Sequence, residues 1–357
     1  MKILYIAHEE SCYCGSFIFN GLCELLGPDN VLTYPPKLSY YGQTHRYSIP
    51  GIENGLTSPL PWMSFNDPAS VELDDATVRS MIRCGDFKFV VVESVRSTAV
   101  STFESLRDDI TAACLPVALV ESDDYDGFDE RNIKRIMPHL YFKRELRKKK
   151  YDSPAISRSF GSVHHTKVIG FPFSCPITAI NRIHTQSEAY DVFFSCGNTT
   201  DHTDNMRQRV ADAIRNNAER LGLNVFVAVS PDRSRSEGAP GLLPWDKYIA
   251  AMKASKILIN CRGFGHDTVR FWEAAGCGLL CTQPNGLHYA NEYTGMENIV
   301  EFDSPESCIG RIEGLLQDED KANEIRAACV AHTAQHHTNL ARAHQLVSAL
   351  RENGFLS

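Results

Sequence analysis

Short apolar runs alternate with helical spacing from the start of the chain. Runs at 3–7, 31–34, 89–93 and 117–121 are four or five residues long and rich in Val, Ile, Leu and Phe. That length and composition predict strands buried on both faces. Between them, 16–26 and 98–111 carry apolar residues at the three-to-four spacing of amphipathic helices, and 141–143 and 168–170 predict shorter strands. Strand and helix in alternation predict an α/β fold with a parallel sheet covered on both sides. The segment 35–66 is rich in Pro, Gly, Tyr and Ser and predicts a long loop, a length that usually carries function.

After FPFSCP (171–176) the pattern begins again. Residues 177–189 are polar and predict a linker, followed by a strand at 191–195, a helix at 205–222 and a strand at 225–230. A loop at 234–241, a helix at 245–253 and a strand at 257–260 follow. A helix at 268–275 is stopped by Gly276 and Gly278, then comes a strand at 279–282. Helices at 305–316, 319–334 and 338–351 close the chain. Two doubly wound halves and a helical tail account for the whole length.

The densest chemistry lies in KILIN-CRGFGHD-TVRFWEAAGCG-LLCT, residues 256–282. Asp267, Arg270 and Glu273 recur every third residue and are expected on one helix face, with Val269 and Trp272 turned to a core. A helix N-terminus beyond a parallel strand presents free N–H groups and the positive end of a dipole to an anion. An arginine and a carboxylate beside it suit a phosphate and a sugar hydroxyl. The plainer readings are a helix-surface Glu273 paired with Arg270, and Asp267 with Thr268 as a helix cap.

Composition narrows the class. The chain has 357 residues, 43% hydrophobic, with a net charge of −8, which suits two globular domains and offers no bulk attraction to nucleic acid or an anionic membrane. The N-terminal apolar run is too short for a signal peptide and no stretch of about 20 apolar residues occurs, so a cytoplasmic protein is expected. The twelve cysteines are scattered, only Cys12 and Cys14 being close, and predict reduced structural thiols. The basic run 144–150 reads most simply as a solvated helix end, and the pairs His164–His165 and His336–His337 lack the partners of a zinc site.

Several motifs carry a family resemblance. They are W-x-x-Y (Trp245, Tyr248), S-K-I-x-I-N (255–260), D-x-x-R-x-x-E-A-x-x-x-G (267–278) and H-T-x-x-x-R (His337, Thr338, Arg342), with a looser YFKRE at 141–145. Together they resemble GT-B glycosyltransferases, specifically the CgeB-type, spore-maturation-protein-like group. The resemblance implies two Rossmann-like domains facing across a cleft, with C-terminal helices packing back toward the N-terminal domain. Residues 1–176 would be the acceptor domain, 190–337 the nucleotide-sugar donor domain, and 338–357 a helix crossing back. It also implies transfer without an obligatory metal or cofactor, with a nucleoside-diphosphate sugar, UDP-sugar favoured, as co-substrate. The retaining branch usually has two glutamates flanking seven residues; here Glu273 fits the second, but Gly265 stands at the first, which leaves retention or inversion open.

Under that resemblance Glu273 is expected on the ribose hydroxyls and Arg270 on the diphosphate, with Asp267 beside them. Gly265, with Gly263, would let backbone approach the ligand, and His266 would touch the donor sugar. From the residues alone, Gly197 and Asn198 are a second candidate phosphate loop, with Arg207 as countercharge and Arg262 as a further phosphate candidate; an ordinary βα loop is the alternative reading. An acceptor-side base would lie at strand ends of the first half: Asp123 first, then His8 and Glu9. The acidic run 121–126 has a metal-binding D-x-D as its alternative, and a solvated turn as the plainer one. The hydroxyl acceptor is open between glycan, protein, small molecule and a modified DNA base. A sugar-nucleotide epimerase or hydrolase of the same fold, or a non-catalytic binding module, are the rival readings.

Overall fold

The computed structural model describes residues 1–8, 13–37, 40, 74–150, 155–160, 165–181, 188–197, 205–230, 243 and 245–357. The first sheet has the order β2-β1-β3-β4-β5-β7-β6. Its strands are β1 (Lys2–Ile6), β2 (Val31–Tyr34), β3 (Phe87–Val92), β4 (Val117–Glu121), β5 (Leu140–Lys143), β6 (Ala155–Ser159) and β7 (His165–Gly170). All pair parallel except β6, which runs antiparallel to β7 at the edge. Helices α1 (Tyr13–Leu26), α2 (Asp75–Arg83), α3 (Ser97–Ala112) and α4 (Glu130–Ile136) connect the strands. The Asp74 side chain accepts from Thr77 N–H and caps α2.

The second sheet, order β12-β11-β10-β8-β9, is parallel throughout. It comprises β8 (Tyr190–Gly197), β9 (Val225–Ser230), β10 (Ser255–Asn260), β11 (Leu279–Thr282) and β12 (Val300–Glu301). Its helices are α5 (Met206–Leu221), α6 (Trp245–Lys253), α7 (Val269–Cys277), α8 (Pro305–Gln317) and α9 (Glu319–His336). Helix α10 (Asn339–Glu352) leaves this half and packs on α1. Leu346 and Leu350 of α10 are fully buried in the same cluster as Phe17 and Leu22 of α1. Each such side chain contributes roughly 1.5–3 kcal/mol on leaving water.

The reading of parallel strands and intervening helices holds for both halves. The sequence missed α2, α4, β6 and β12. These are short or one-sided: Val78 and Ile82 are the only buried residues of α2, and β12 has two residues. α4, β6 and β12 offer few positions on which a period can show, and α2 is amphipathic but only nine residues long.

Order fixes where each sheet has a crevice. From β1 the chain goes to β2 through α1 on one face, and reaches β3 through α2 on the other. From β8 it goes to β9 through α5, and reaches β10 through α6 on the opposite face. Ligands of open α/β sheets bind outside the carboxyl ends of the strands at such a switch point. One crevice therefore lies at the ends of β1 and β3, the other at the ends of β8 and β10.

A seam joins the halves. His288 N–H donates to Leu146 O (2.7 Å) and Lys148 N–H to Gly286 O (2.9 Å). Cys175 N–H donates to His337 O (2.7 Å), and Asn339 N–H to Cys175 O (3.2 Å). Arg342 is almost fully buried and donates to Pro172 O (3.1 Å) and Phe173 O (3.2 Å), with its guanidinium over the Trp272 ring. Arg342 also donates to His337 Nδ1 (3.0 Å), which leaves the proton of a neutral imidazole on Nε2, directed at Asn291 O (2.6 Å). The H-T-x-x-x-R motif is thus a clamp on the crossover between halves. Thr338 caps α10 by accepting from Ala341 N–H.

Candidate functional site

At the second crevice, Arg207 in the first turn of α5 holds both strand ends. Its guanidinium donates to Gly197 O at the end of β8 (2.7 Å), and to Arg262 O (3.0 Å) and Cys261 O (3.5 Å) just past β10. Burial, then the neighbouring Arg270 charge, push its pKa down. Arg207, expected as a countercharge, has three of its five N–H groups on these carbonyls and so braces the two strand ends. Gly197 is in place at the crevice with open space around it. Asn198 lies outside the described residues.

Glu273 and Arg270 come together here, on the first two turns of α7, with a residue that sequence reasoning left out of the site. Tyr248 of α6 donates to Glu273 Oε2 (3.0 Å) and lies against the Arg270 guanidinium. Burial first, then the Glu273 charge, hold the Tyr248 phenol well above its ordinary pKa, so it remains a hydroxyl. The Nε–H of Arg270 is buried and has no hydrogen-bond partner among the described residues. Such an orphan donor normally finds a ligand or water. Tyr248 was visible only as the Y of W-x-x-Y.

Arg262 is partly buried and makes no ion pair among the described residues; its charged neighbour is another cation, Arg147. Burial, then that repulsion, lower its pKa. It donates to His266 Nδ1 (3.2 Å). Burial, then Arg147 and Arg262, bring the His266 pKa down to about 4, so this imidazole is neutral at neutral pH.

Asp267 does not share the face of Arg270 and Glu273. Thr268 is the N-cap of α7, so Asp267 precedes the helix and the three-residue spacing does not carry to it. Its carboxylate turns into the seam, accepting from Phe173 N–H (2.7 Å) and Trp272 Nε1–H (2.6 Å). The backbone N–H groups of His266 and Asp267, part of the expected anion cradle, donate to the two oxygens of Glu145 from the first half (3.1 and 2.9 Å). Gly265 is needed for this approach: a β-carbon there would collide with the Glu145 carboxylate. The glycine lets the Glu145 side chain of the first half approach.

The basic run 144–150 is also corrected. It follows β5 as turns and not as a helix. Arg144 is buried, paired with Asp124 and stacked on Phe173. Burial works against its charge, but Asp124, Asp267 and Glu145 together hold its pKa above the ordinary value. Asp126, Arg147 and Lys150 form exposed or half-exposed pairs around it.

At the first crevice, His8 is buried just past the end of β1. Glu9 lies outside the described residues. Asp123 is a half-exposed carboxylate engaged by Arg96 Nε (3.1 Å) and Nη2 (3.0 Å). Sequence reasoning missed Glu93, the residue after β3, which has no exposed surface. Its Oε1 accepts from Lys37 Nζ (2.9 Å), while Oε2 has no partner among the described residues. Lys37 also reaches Tyr40 OH (3.1 Å) and lies over its ring. A second buried couple closes β4 and β5: Lys143 Nζ donates to Glu121 Oε1 (2.7 Å). Burial outweighs the lysine and pushes the Glu121 pKa up to about 7. Neither glutamate has a local motif; only strand order assigns them to a crevice edge.

The cysteines among the described residues are free thiols, and no group of three or more His, Cys, Asp or Glu side chains there is placed to hold a metal ion. Among the described residues no helix is long and apolar enough to cross a membrane.

Residues 207–348 match a family model described as Glycosyl transferase-like, which spans α5 to α10 and so contains Tyr248, Arg262, Arg270 and Glu273. The chain is similar over its whole length to solved structures at low identity. A glycosyltransferase from Rickettsia africae superposes with a TM-score of 0.62 at 9% identity, covering 99% of this chain and 98% of that one. Anabaena HepE in complex with UDP gives 0.53 at 12% identity, covering 99% and 100%. HepE with UDP and glucose gives 0.52 at 13%, with the same coverage. The chain therefore has the GT-B fold, with a glycosyl transferase-like C-terminal half. No curated protein matches it in sequence.

Proposed function

We propose that the chain is a glycosyltransferase that moves a sugar from a UDP-sugar to a hydroxyl acceptor without needing a metal, and that it works in the cytoplasm as a member of the CgeB-type group. The observation that carries this reading is the company of Glu273 and Arg270 at the second crevice, with an unsatisfied arginine Nε–H beside a carboxylate. A carboxylate suits a ribose diol, and an arginine suits a diphosphate. The match of residues 207–348 to a glycosyl transferase-like family, and the UDP held by a protein of the same fold, support it.

Roles then divide by what each side chain has left to offer. Glu273, oriented by Tyr248, receives the ribose hydroxyls. Arg270, through Nε, and Arg262, whose charged neighbours are cations, face the diphosphate and stabilise the charge that grows on it as the sugar leaves. Gly197 lines the same end of β8, and Asn198, the next residue in sequence, is assigned to the same phosphate loop. Arg207 keeps the two strand ends at a fixed separation, so its part is positioning. His266, held neutral, is a hydrogen-bonding group beside Arg262 and not a charge. Asp267 and Gly265 act through the seam. On the opposite crevice His8, Glu9 and Asp123 belong to the acceptor side.

The test is stabilisation of the purified chain by UDP, GDP, ADP and CDP and by their sugars, since a ligand of the folded state raises the melting temperature. UDP and a UDP-sugar should give the largest shift, and the shift should vanish in Glu273→Ala while that variant still melts cooperatively. Equal shifts in wild type and Glu273→Ala would remove the site assignment. Donor consumed at the same rate with and without hydroxyl acceptors would favour a hydrolase or epimerase instead.

A further inference from the structure

The first crevice has a buried carboxylate that no role so far uses. Glu93 stands directly after β3, across the switch point from His8 after β1, at the place where an open α/β sheet takes its ligand. It has no exposed surface, and one of its two oxygens has no partner among the described residues. The other oxygen is held by Lys37, itself buried and fixed by Tyr40. An ion pair this deep is a weak source of stability, because both charges have left water. An orphaned oxygen makes it weaker still. The backbone is also shaped around the group: Gly15 in the first turn of α1 touches the carboxylate, and a β-carbon there would collide with it.

We propose that Glu93 is the acceptor-side catalytic residue, with Oε2 taking the hydrogen of the hydroxyl that receives the sugar. This rests on the donor reading given above. The acceptor is a polyhydroxylated molecule whose reacting hydroxyl reaches Oε2 once the groups packed over Glu93 part. The hydroxyl oxygen forms the new bond to the anomeric carbon. The bond from that carbon to the diphosphate oxygen breaks, and UDP departs with the electron pair. The hydroxyl proton passes to Glu93, which becomes a neutral carboxylic acid and later returns the proton to solvent. Lys37 is a positioning residue: it holds Oε1 and so fixes the carboxylate, with Oε2 left without a partner among the described residues. Asp123, engaged by Arg96, is not needed for this step.

The experiment measures UDP release from UDP-glucose, alone and with a panel of methyl glycosides as acceptor probes, for wild type, Glu93→Gln, Glu93→Asp and Lys37→Met. Melting with and without UDP is followed in the same samples. The expected result is a fall of 100-fold or more in UDP release for Glu93→Gln, partial recovery in Glu93→Asp, and an unchanged UDP-induced shift in melting temperature. Lys37→Met should lower kcat and leave the UDP-induced shift in place, a split that a purely structural pair would not produce. Should Glu93→Gln fail to fold, Glu93→Asp and the Lys37→Met split decide. Release by Glu93→Gln or Glu93→Asp at the wild-type rate, or an unchanged kcat in Lys37→Met, overturns the proposal. So does a wild type that releases no UDP with any probe; a UDP-induced shift in that sample would leave the donor reading standing, and its absence would remove both.

Discussion

The two crevices are built by the same topology and filled with opposite chemistry. At the second, Arg207, Arg262 and Arg270 gather where β8 and β10 end, and the Glu273 carboxylate beside Arg270 is held by a tyrosine hydroxyl. At the first, a glutamate stands where β3 ends, with a lysine on one oxygen and none of the described residues on the other. A parallel sheet offers the same exposed strand ends in both cases, so the difference lies in side chains alone. An excess of buried cations awaits an anion, and a buried carboxylate with a free lone pair awaits a hydrogen. Under the proposed function, one fold unit used twice would meet the two halves of a transfer reaction.

Glu273→Ala should break this contrast most. We expect UDP release to drop by about 100-fold or more, roughly 3 kcal/mol in the transition state, with cooperative melting retained. Arg207→Met should act on stability. It leaves the buried carbonyls of Gly197, Cys261 and Arg262 without their donor and should cost about 2–3 kcal/mol in urea unfolding. An unchanged unfolding midpoint would mean that Arg207 is not a brace, and would return it to the phosphate ligands.

Glu121→Gln tests the burial of carboxylates in the first sheet. Folding raises the Glu121 pKa from 4.5 to about 7, so between those values the folded chain holds a proton that the unfolded chain releases. Its contribution is fully present below the unfolded value and is lost as pH rises through the folded one. Wild type should therefore lose roughly 1–3 kcal/mol relative to Glu121→Gln as pH rises across that window. Parallel stability curves for the two proteins would show that Glu121 does not titrate there. Arg262→Gln carries the smallest effect: about tenfold weaker UDP binding, near 1.4 kcal/mol, with a shallower dependence on salt. Identical isotherms would leave Arg270 as the sole diphosphate ligand.

Much of the fold was legible because buried parallel strands and amphipathic helices leave strong periodicity, as in 117–121 and 98–111. The site was legible in part. Arg270 and Glu273 share a helix, and spacing along a helix is a local property. Asp267 failed for the same reason, since the helix starts one residue later than the pattern suggested and Thr268 takes the cap. Arg144 read as a solvated charge and is buried, because its partners Asp124 and Phe173 are distant in sequence. Glu93 had no signal at all beyond its place after an apolar run.

Alternation of apolar runs, helical spacing and one arginine–glutamate helix face were enough to read two doubly wound halves and to bring Arg270 and Glu273 together, because each depends on residues a few positions apart. Which charges are braces, which are seam and which stay unsatisfied depends on strand order and on the docking of one half against the other. Those are long-range events. They bring Glu145 to the N–H groups of His266 and Asp267, and Lys37 to Glu93, from segments that share no local pattern.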